Sequence, residues 1–599
     1  MSVEERSGAR GVGARPVWLA VEPDPVLAFL HLAEPGAERD TAVLICPPFG
    51  WQDNCSYRGR RRWAASLARA GYSSARFSLP GTGDSGGSPR DPGQLVSWTG
   101  AVAATARWLA DTTGAARIVA IGVGLGGMLA CRAVARGARI DDLILWAVPS
   151  EGRALVRELT AYAQIVASRR PEDHLEEPVP EGDLECVGFR LSAETLRDLS
   201  EIRLPTLELP SAEGRRVLLL GRDGIAPDAR LREYLERSGA AVTVKRTADY
   251  SSLMLHPQES QTPAETIATT ISWLSDGSSN AGEDRAPVSG RSAIERSSIG
   301  LRWGGTAIRE TPLRFEAPGG ELFGVLTEAE GIESAPVCAV WLNGGAVPHT
   351  GPNRVWVEAA RRWATRGVPT VRVDPIGIGD SEGDPETIPN ADLYAPERFD
   401  EVMVVLDQLA DRGLPNRFIV GGLCSGAYWS MHAALADPRV AGLMLMNLSV
   451  FFWTDAIAAE RAASVSLGAM SRYGWRRLIH RDITLRQVRQ VLGNIRPAQL
   501  RSGAGHPAER VQDADIEPAL DQLRDQRTQA LLLLGKGEAL YDQLKRQGAL
   551  DQLHRWPNLT LERIPSTDHM FRALWLQDYV HDALDRALER VLAAEDERS

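Results

Sequence analysis

The chain has 599 residues, 44% of them apolar and 24% charged, with a formal net charge of −11. That length is too great for one hydrophobic core, so two large domains or more are expected, and the acidic balance argues against general nucleic-acid binding. The N-terminal residues lack the apolar run of a signal peptide and no stretch is apolar for long enough to span a bilayer, so a cytoplasmic chain without membrane insertion is expected. The six cysteines, Cys46, Cys55, Cys131, Cys186, Cys338 and Cys424, lie far apart without a CxxC pair. That fits free thiols in a reducing compartment better than a disulfide framework or a zinc site, and neither a metal nor a cofactor is expected.

The predicted elements come in chain order as follows. Alternating residues from Val17 to Ala33 predict a hairpin, and TAVLIC, ending at Cys46, a buried strand. A helix, the strand YSSARF and the loop Gly81-Thr82-Gly83-Asp84-Ser85 follow. Another helix leads to the strands RIVAIG and LILWAV, then to a stretch of helical pattern over about 150–212, and then to VLLLG and AVTVKR. Residues 276–298, rich in Gly, Ser and charge, read as a linker. Beyond them the series recurs: a hairpin from Leu313 to Thr327, VCAVWL ending at Leu342, a helix, PTVRV, the loop Gly377-Ile378-Gly379-Asp380-Ser381, a helix, RFIVGG, LMLMNL, a second helical stretch over about 450–528, LLLLG and LTLERI. Short apolar strands alternating with helices predict an α/β fold, with a mainly parallel sheet covered on both faces in each of two domains, 1–275 and 299–599. The insertions at 150–212 and 450–528 are expected as caps over the carboxyl edge of each sheet. The paired G-x-G-D-S loops lack the Lys-Ser/Thr of a P-loop and read as turns near the mouth of each site.

In the second half RFIVGG runs into Gly422-Leu423-Cys424-Ser425-Gly426 and then a helix. Strand, G-x-Cys-x-G and helix together resemble the nucleophile elbow of the α/β-hydrolase superfamily, with Cys in place of the usual Ser. The turn sets Cys424 at a helix N-terminus, where the dipole favours a thiolate. Ser425 is the alternative nucleophile but lacks the G-x-S-x-G frame. The whole chain resembles tandem α/β-hydrolases of the serine-aminopeptidase and lysophospholipase-like kind, and a cysteine at the elbow is similar to dienelactone hydrolases and polyester synthases. The resemblance implies the order nucleophile, acid, base along the chain. Glu538, in the loop after LLLLG, then becomes the acid, with Asp542 in reserve, and His569, after the last strand, the base. The oxyanion hole it implies uses the N–H of Ser425 and one from Asn343-Gly344-Gly345, with Gly345 preferred.

The first half carries Gly124 at the nucleophile position, Gly224 opposite Glu538, Tyr250 opposite His569, and Pro47-Pro48-Phe49-Gly50 at the oxyanion loop. It reads as a degenerate copy, although Asp223 and His256 lie near enough in sequence to pair. Three readings stay open: hydrolysis of an ester or thioester, including a simple carboxylester; acyl transfer to an amine or alcohol through an acyl-cysteine; and a binding scaffold without catalysis. A thioester intermediate favours amine attack, which leans toward transfer. The expected partner is a small-molecule acyl substrate. An arginine-rich run from Arg472 to Arg501, with Arg476 and Arg477 at its centre, is either a solvated face or a dock for coenzyme A phosphates or an acyl-carrier protein. In the second case Trp453 and Trp475 would line the acyl channel.

Overall fold

The structure, a computed structural model, describes residues 14–167, 179–210, 213–277, 292–383, 388, 390–452 and 516–598. Its frame is a pair of nine-stranded sheets. The first contains Arg15–Leu19 (β1), Val26–His31 (β2), Thr41–Cys46 (β3), Ser74–Phe77 (β4), Arg117–Val123 (β5) and Asp142–Trp146 (β6). A separate small hairpin, Leu184–Cys186 (β7) and Phe189–Leu191 (β8), precedes its remaining strands, Arg216–Leu220 (β9), Ala241–Lys245 (β10) and Glu295–Arg296 (β11). The second sheet holds Ile299–Trp303 (β12), Thr306–Ala317 (β13), Gly320–Ala329 (β14), Cys338–Leu342 (β15), Thr370–Asp374 (β16), Phe418–Leu423 (β17), Val440–Met446 (β18), Gln529–Leu534 (β19) and Leu559–Arg563 (β20).

The spatial orders are β10-β9-β6-β5-β3-β4-β2-β1-β11 and β20-β19-β18-β17-β15-β16-β14-β13-β12, the same topology twice. Pairing is parallel from β10 to β4 and from β20 to β16, and antiparallel beyond. The strands read as unbroken apolar runs because both faces are covered. Ala42, Leu44 and Cys46 pack with the helix Gln94–Thr113, whereas Val43 and Ile45 meet Trp63 and Leu67 of the helix Trp51–Arg69. In the second sheet Val340 and Leu342 face Val402 and Leu406, and Ala339 and Trp341 face Trp356 and Trp363.

Three local features depart from the sequence expectation. The C-terminal end of the stretch read as linker forms β11, paired with β1, and its Glu295 bonds the Arg15 guanidinium and accepts 3.3 Å from Trp108 Nε1. A charged residue in a Gly/Ser-rich context carries no strand signal; its partner in the sheet does. The insertion at 150–212 includes the β7–β8 hairpin between the helices Gly152–Ala167 and Ala193–Glu201, where only a helical pattern was expected. Each strand is 3 residues long, too short to show alternation. The third is β12, which completes a hairpin with β13 around Gly304-Gly305.

The two sheets meet through β1–β2 and β12–β14, where Trp18, Leu27, Phe29, Ile299, Phe323 and Val325 form one apolar cluster. Beside it lies a buried ionic lattice that crosses between the halves. Asp84 of the first G-x-G-D-S loop accepts from Arg372 (3.1 Å) and contacts His349 Nε2 (2.9 Å), and its carbonyl accepts from Arg361 (2.7 Å). Reciprocally, Asp380 of the second loop accepts from Arg76 and Tyr57, and Arg61 donates to the carbonyls of Gly379 (2.9 Å) and Ser381 (2.6 Å). Arg76 and Arg372 hold the same register, opposite Ile45 and Trp341 of the adjoining strands. The loops are turns, as expected, but their aspartates reach across to the other half.

Removing one partner of a buried ion pair typically costs about 3–5 kcal/mol, because the other charge is stranded. Asp380→Ala leaves Arg76 and Tyr57 without their acceptor. Urea unfolding of the full chain should therefore show a loss in that range; a loss below about 1 kcal/mol would mean the lattice adds no stability.

Candidate active site

Cys424 directly follows β17 and caps the helix Ser425–Ala436, with φ 57° and ψ −115°. A non-glycine residue in such a sparsely populated region costs about 1–3 kcal/mol and is held there by its surroundings. Gly422 and Gly426 supply the tight packing: a Cβ on either would sit 2.5 Å or 2.6 Å from the Leu342 carbonyl. Only glycine lets strand, helix and β15 approach this closely.

The structure brings Cys424, His569 and Glu538, the three candidates from the sequence, to one place. His569 lies near enough to Cys424 for each to shift the other's ionisation, and its Nδ1 lies 2.8 Å from Glu538 Oε1. Asp542 sits in the first turn of the helix Ala539–Arg546, which Glu538 caps, and it is Glu538 that reaches His569. Ser425 is almost fully buried, and its Oγ accepts from the Gly345 N–H at 3.1 Å. The alternative nucleophile thus faces the oxyanion loop. Gly344 lies over the elbow, where an added Cβ would stand 2.8 Å from Cys424 Cβ and 3.2 Å from Ser425 N. Trp453, Arg476 and Arg477, with most of the second insertion, lie outside the described residues.

Burial opposes ionisation of Cys424, but the hydrogen bond and charge of His569, aided by Ser449 and Tyr394, outweigh it and lower the thiol pKa. Burial likewise opposes protonation of His569. Hydrogen bonds and charges from Cys424 and Glu538 overcome it and lift the imidazole to about 10. Each of the two groups thus favours the charged form of the other.

Three residues here carry no motif in the sequence. Tyr394 Oη and Ser449 Oγ stand 4.0 Å and 3.9 Å from Cys424 Sγ. Asn447 ties the acid and base loops together: its Nδ2 donates to the His569 carbonyl (2.7 Å), and its Oδ1 accepts from the Gly535 N–H (2.7 Å). Asn447 and Ser449 follow β18, the strand next to the elbow. Position at the carboxyl end of a neighbouring strand was the available signal.

The corresponding place in the first half keeps the turn without the thiol. Gly124 has φ 53° and ψ −116°, the backbone of Cys424 without a side chain. Tyr250 is buried against Trp146 and Arg222. Asp223 accepts from the Ser251 N–H (3.1 Å) and His256 packs on Trp51, so these two, close enough in sequence to pair, bond elsewhere.

No protein-family model and no curated protein matches the chain. Among solved structures it is similar to Est1E from Butyrivibrio proteoclasticus, at 13% identity over 44% of this chain and 98% of that one, TM-score 0.31. It is also similar to an α/β serine hydrolase without lid from Xanthomonas campestris (16% identity, 44% and 94% covered, TM-score 0.28). A proline iminopeptidase from Mycobacterium smegmatis gives 14% identity, 44% and 98% covered, and a TM-score of 0.29. The α/β fold itself rests on the strand order and elbow described above. Among the described residues no helix is long and apolar enough to cross a membrane.

All six cysteines are unpaired, and five are buried. Burial pushes Cys55 and Cys131 up to about 12 and Cys186 to about 11, and raises Cys46 and Cys338 further. Iodoacetamide at neutral pH should therefore alkylate Cys424 first, as read by peptide mass mapping. The rate should rise through an inflection below the ordinary thiol value of 9.0. In His569→Ala burial dominates, and the inflection should move above that value. Labelling of Cys55 or Cys186 with Cys424 spared would contradict the assignment.

Proposed function

We propose that the chain is an acyl-transfer enzyme that opens an ester or thioester through an acyl-cysteine on Cys424. The observation that carries this reading is the thiol on a strained elbow beside an imidazole whose other nitrogen a carboxylate holds. In this reading the Cys424 thiolate attacks the substrate carbonyl carbon, and the electron pair moves to oxygen. The N–H of Ser425, first residue of its helix, and that of Gly345 would stabilise the oxyanion, which would compete with Ser425 Oγ for the Gly345 donor. His569 gives its proton to the leaving oxygen or sulfur as the tetrahedral adduct collapses to the acyl-thioester. It then takes a proton from the incoming water, amine or alcohol, whose attack restores the thiolate. Glu538 keeps Nδ1 protonated, so that Nε2 serves the thiol.

A thioester intermediate is attacked by amines more readily than an oxygen ester is, which supports transfer alongside hydrolysis. The first half, with Gly124, Gly224 and Tyr250 at the matching places, adds no second reaction centre in this reading.

Incubation with an activated thioester, followed by intact mass and product analysis, tests the proposal. An adduct on Cys424 with free acid marks hydrolysis, and one with product amide on adding an amine marks transfer. Cys424→Ala should abolish both. His569→Ala should cost nearly as much, because members of such a unit act together, and Glu538→Gln should cost less. No adduct with either a small neutral thioester or a coenzyme A thioester, or full turnover by Cys424→Ala, would sink it.

A further inference from the structure

The first half touches the thiol site at two loops, and both contacts are built from buried groups. The segment that begins at the oxyanion loop, Asn343–Arg354, is tied to the first half repeatedly. His349, wholly buried, lies between Asp374 Oδ2 (2.7 Å) and Asp84 Oδ2 (2.9 Å), and its N–H donates to Asp374 Oδ1 (2.6 Å). Arg354 donates to the Ser85 carbonyl (3.1 Å), and Asn353 Nδ2 to that of Val187 (3.1 Å). At the other end of the segment Asn343 Oδ1 accepts from Trp356 Nε1 (3.1 Å) and its Nδ2 donates to the Val347 carbonyl (3.2 Å). The oxyanion loop is thus held within the second half at its start and by the first half just beyond its end.

The second contact is with the catalytic-histidine loop. Asp568 Oδ2 accepts from the Arg572 N–H (2.8 Å), Oδ1 accepts from the Met570 N–H (3.2 Å), and the Arg572 guanidinium binds the same carboxylate (3.1 Å). The resulting tight turn contains His569. Its carbonyl at Arg572 accepts from Asn353 Nδ2 (2.6 Å), the amide that also holds Val187. Gly188, at the tip of the β7–β8 hairpin with φ 86°, presses on this point: a Cβ there would lie 1.9 Å from the Arg572 carbonyl oxygen and 2.0 Å from Asn353 Nδ2. The Arg572 guanidinium also covers the Trp51 ring of the first half at 5.4 Å.

We propose that the half without a nucleophile is the positioning element of the thiol site, with Asp84 fixing the oxyanion loop through His349 and the hairpin tip Val187–Gly188 fixing the His569 turn through Asn353 and Arg572. The inference rests on the reading of Cys424, His569 and Glu538 as the reacting set. These first-half residues touch no reacting atom and act through the loops they hold. A displacement of about 1 Å at such loops can cost up to ~10²-fold in rate.

The two contacts predict different signatures in the full-length protein. Gly188→Ala has to push back Arg572 and with it His569. Its kcat on the activated thioester should fall about 10-fold or more with KM within about twofold, and the Cys424 alkylation inflection should move to higher pH. Asp84→Asn should lower kcat similarly while leaving that inflection in place, since the Cys424–His569 pair is untouched, and Asp84→Glu should recover part of the loss. Circular dichroism checks folding, and if Gly188→Ala does not fold, Trp51→Ala, which removes the stack under Arg572, should show the same shift on a smaller scale. Folded variants that keep the wild-type kcat and inflection would overturn the positioning role alone. A wild-type Cys424 without a lowered inflection, with Cys424→Ala still active, would instead remove the reading on which it rests.

Discussion

The reciprocal ionic lattice between Asp84, His349, Arg372 and Arg361 on one side and Asp380, Arg76 and Tyr57 on the other is the constraint on which the arrangement of the halves depends. Taking such charges out of water costs several kcal/mol each, and only close, well-directed partners return it. Asp84 and Asp380 each find side-chain partners in the opposite half. Neither half alone can satisfy the lattice, so the relative placement of the sheets is specified far more narrowly than apolar contact alone would specify it. His349 shows the cost being met: burial opposes its charge, yet the carboxylates of Asp84 and Asp374 raise it to about 10 and keep it cationic near neutral pH.

That lattice sits one loop away from the thiol. His349 follows the Asn343-Gly344-Gly345 turn by a few residues, and Asp374 ends β16 beside the strand that leads into that turn. Strain at Cys424 is tolerated because the elbow is clamped between the Leu342 carbonyl and Gly344, so the backbone that places the N–H groups of Gly345 and Ser425 also places the thiol. Asn447 does the same service for the acid and base loops. The site is a convergence of loops at one sheet edge, each held by buried hydrogen bonds rather than by its own propensity.

The two elbows separate fold from chemistry. Gly124 and Cys424 share their dihedrals within a few degrees, at the same place between strand and helix. One carries a thiol, with an imidazole and a carboxylate nearby; the other carries no side chain, and the residues matched to that imidazole and carboxylate in the sequence are a buried Tyr250 and Gly224. The same backbone thus presents a thiol in one half and no side chain in the other, because a fold sets where a side chain stands and not which one it is.

The sequence by itself determined the strand series and the elbow, and it singled out Cys424, Glu538 and His569 as candidates, because each depends on local pattern: apolar runs, glycine spacing, and position after a strand. It also put Gly124 at the first half's elbow, where the structure has it. The short strands β7, β8 and β11 escaped it, since strands of two or three residues have no period to read. Tyr394, Ser449 and Asn447 escaped it because their parts are set by neighbours far along the chain. Only the tertiary structure decided that the G-x-G-D-S aspartates bridge the halves and that Gly345 donates to Ser425. A loop's sequence can specify its turn, but where its carboxylate finds a cation depends on surfaces that come together only when both sheets have formed.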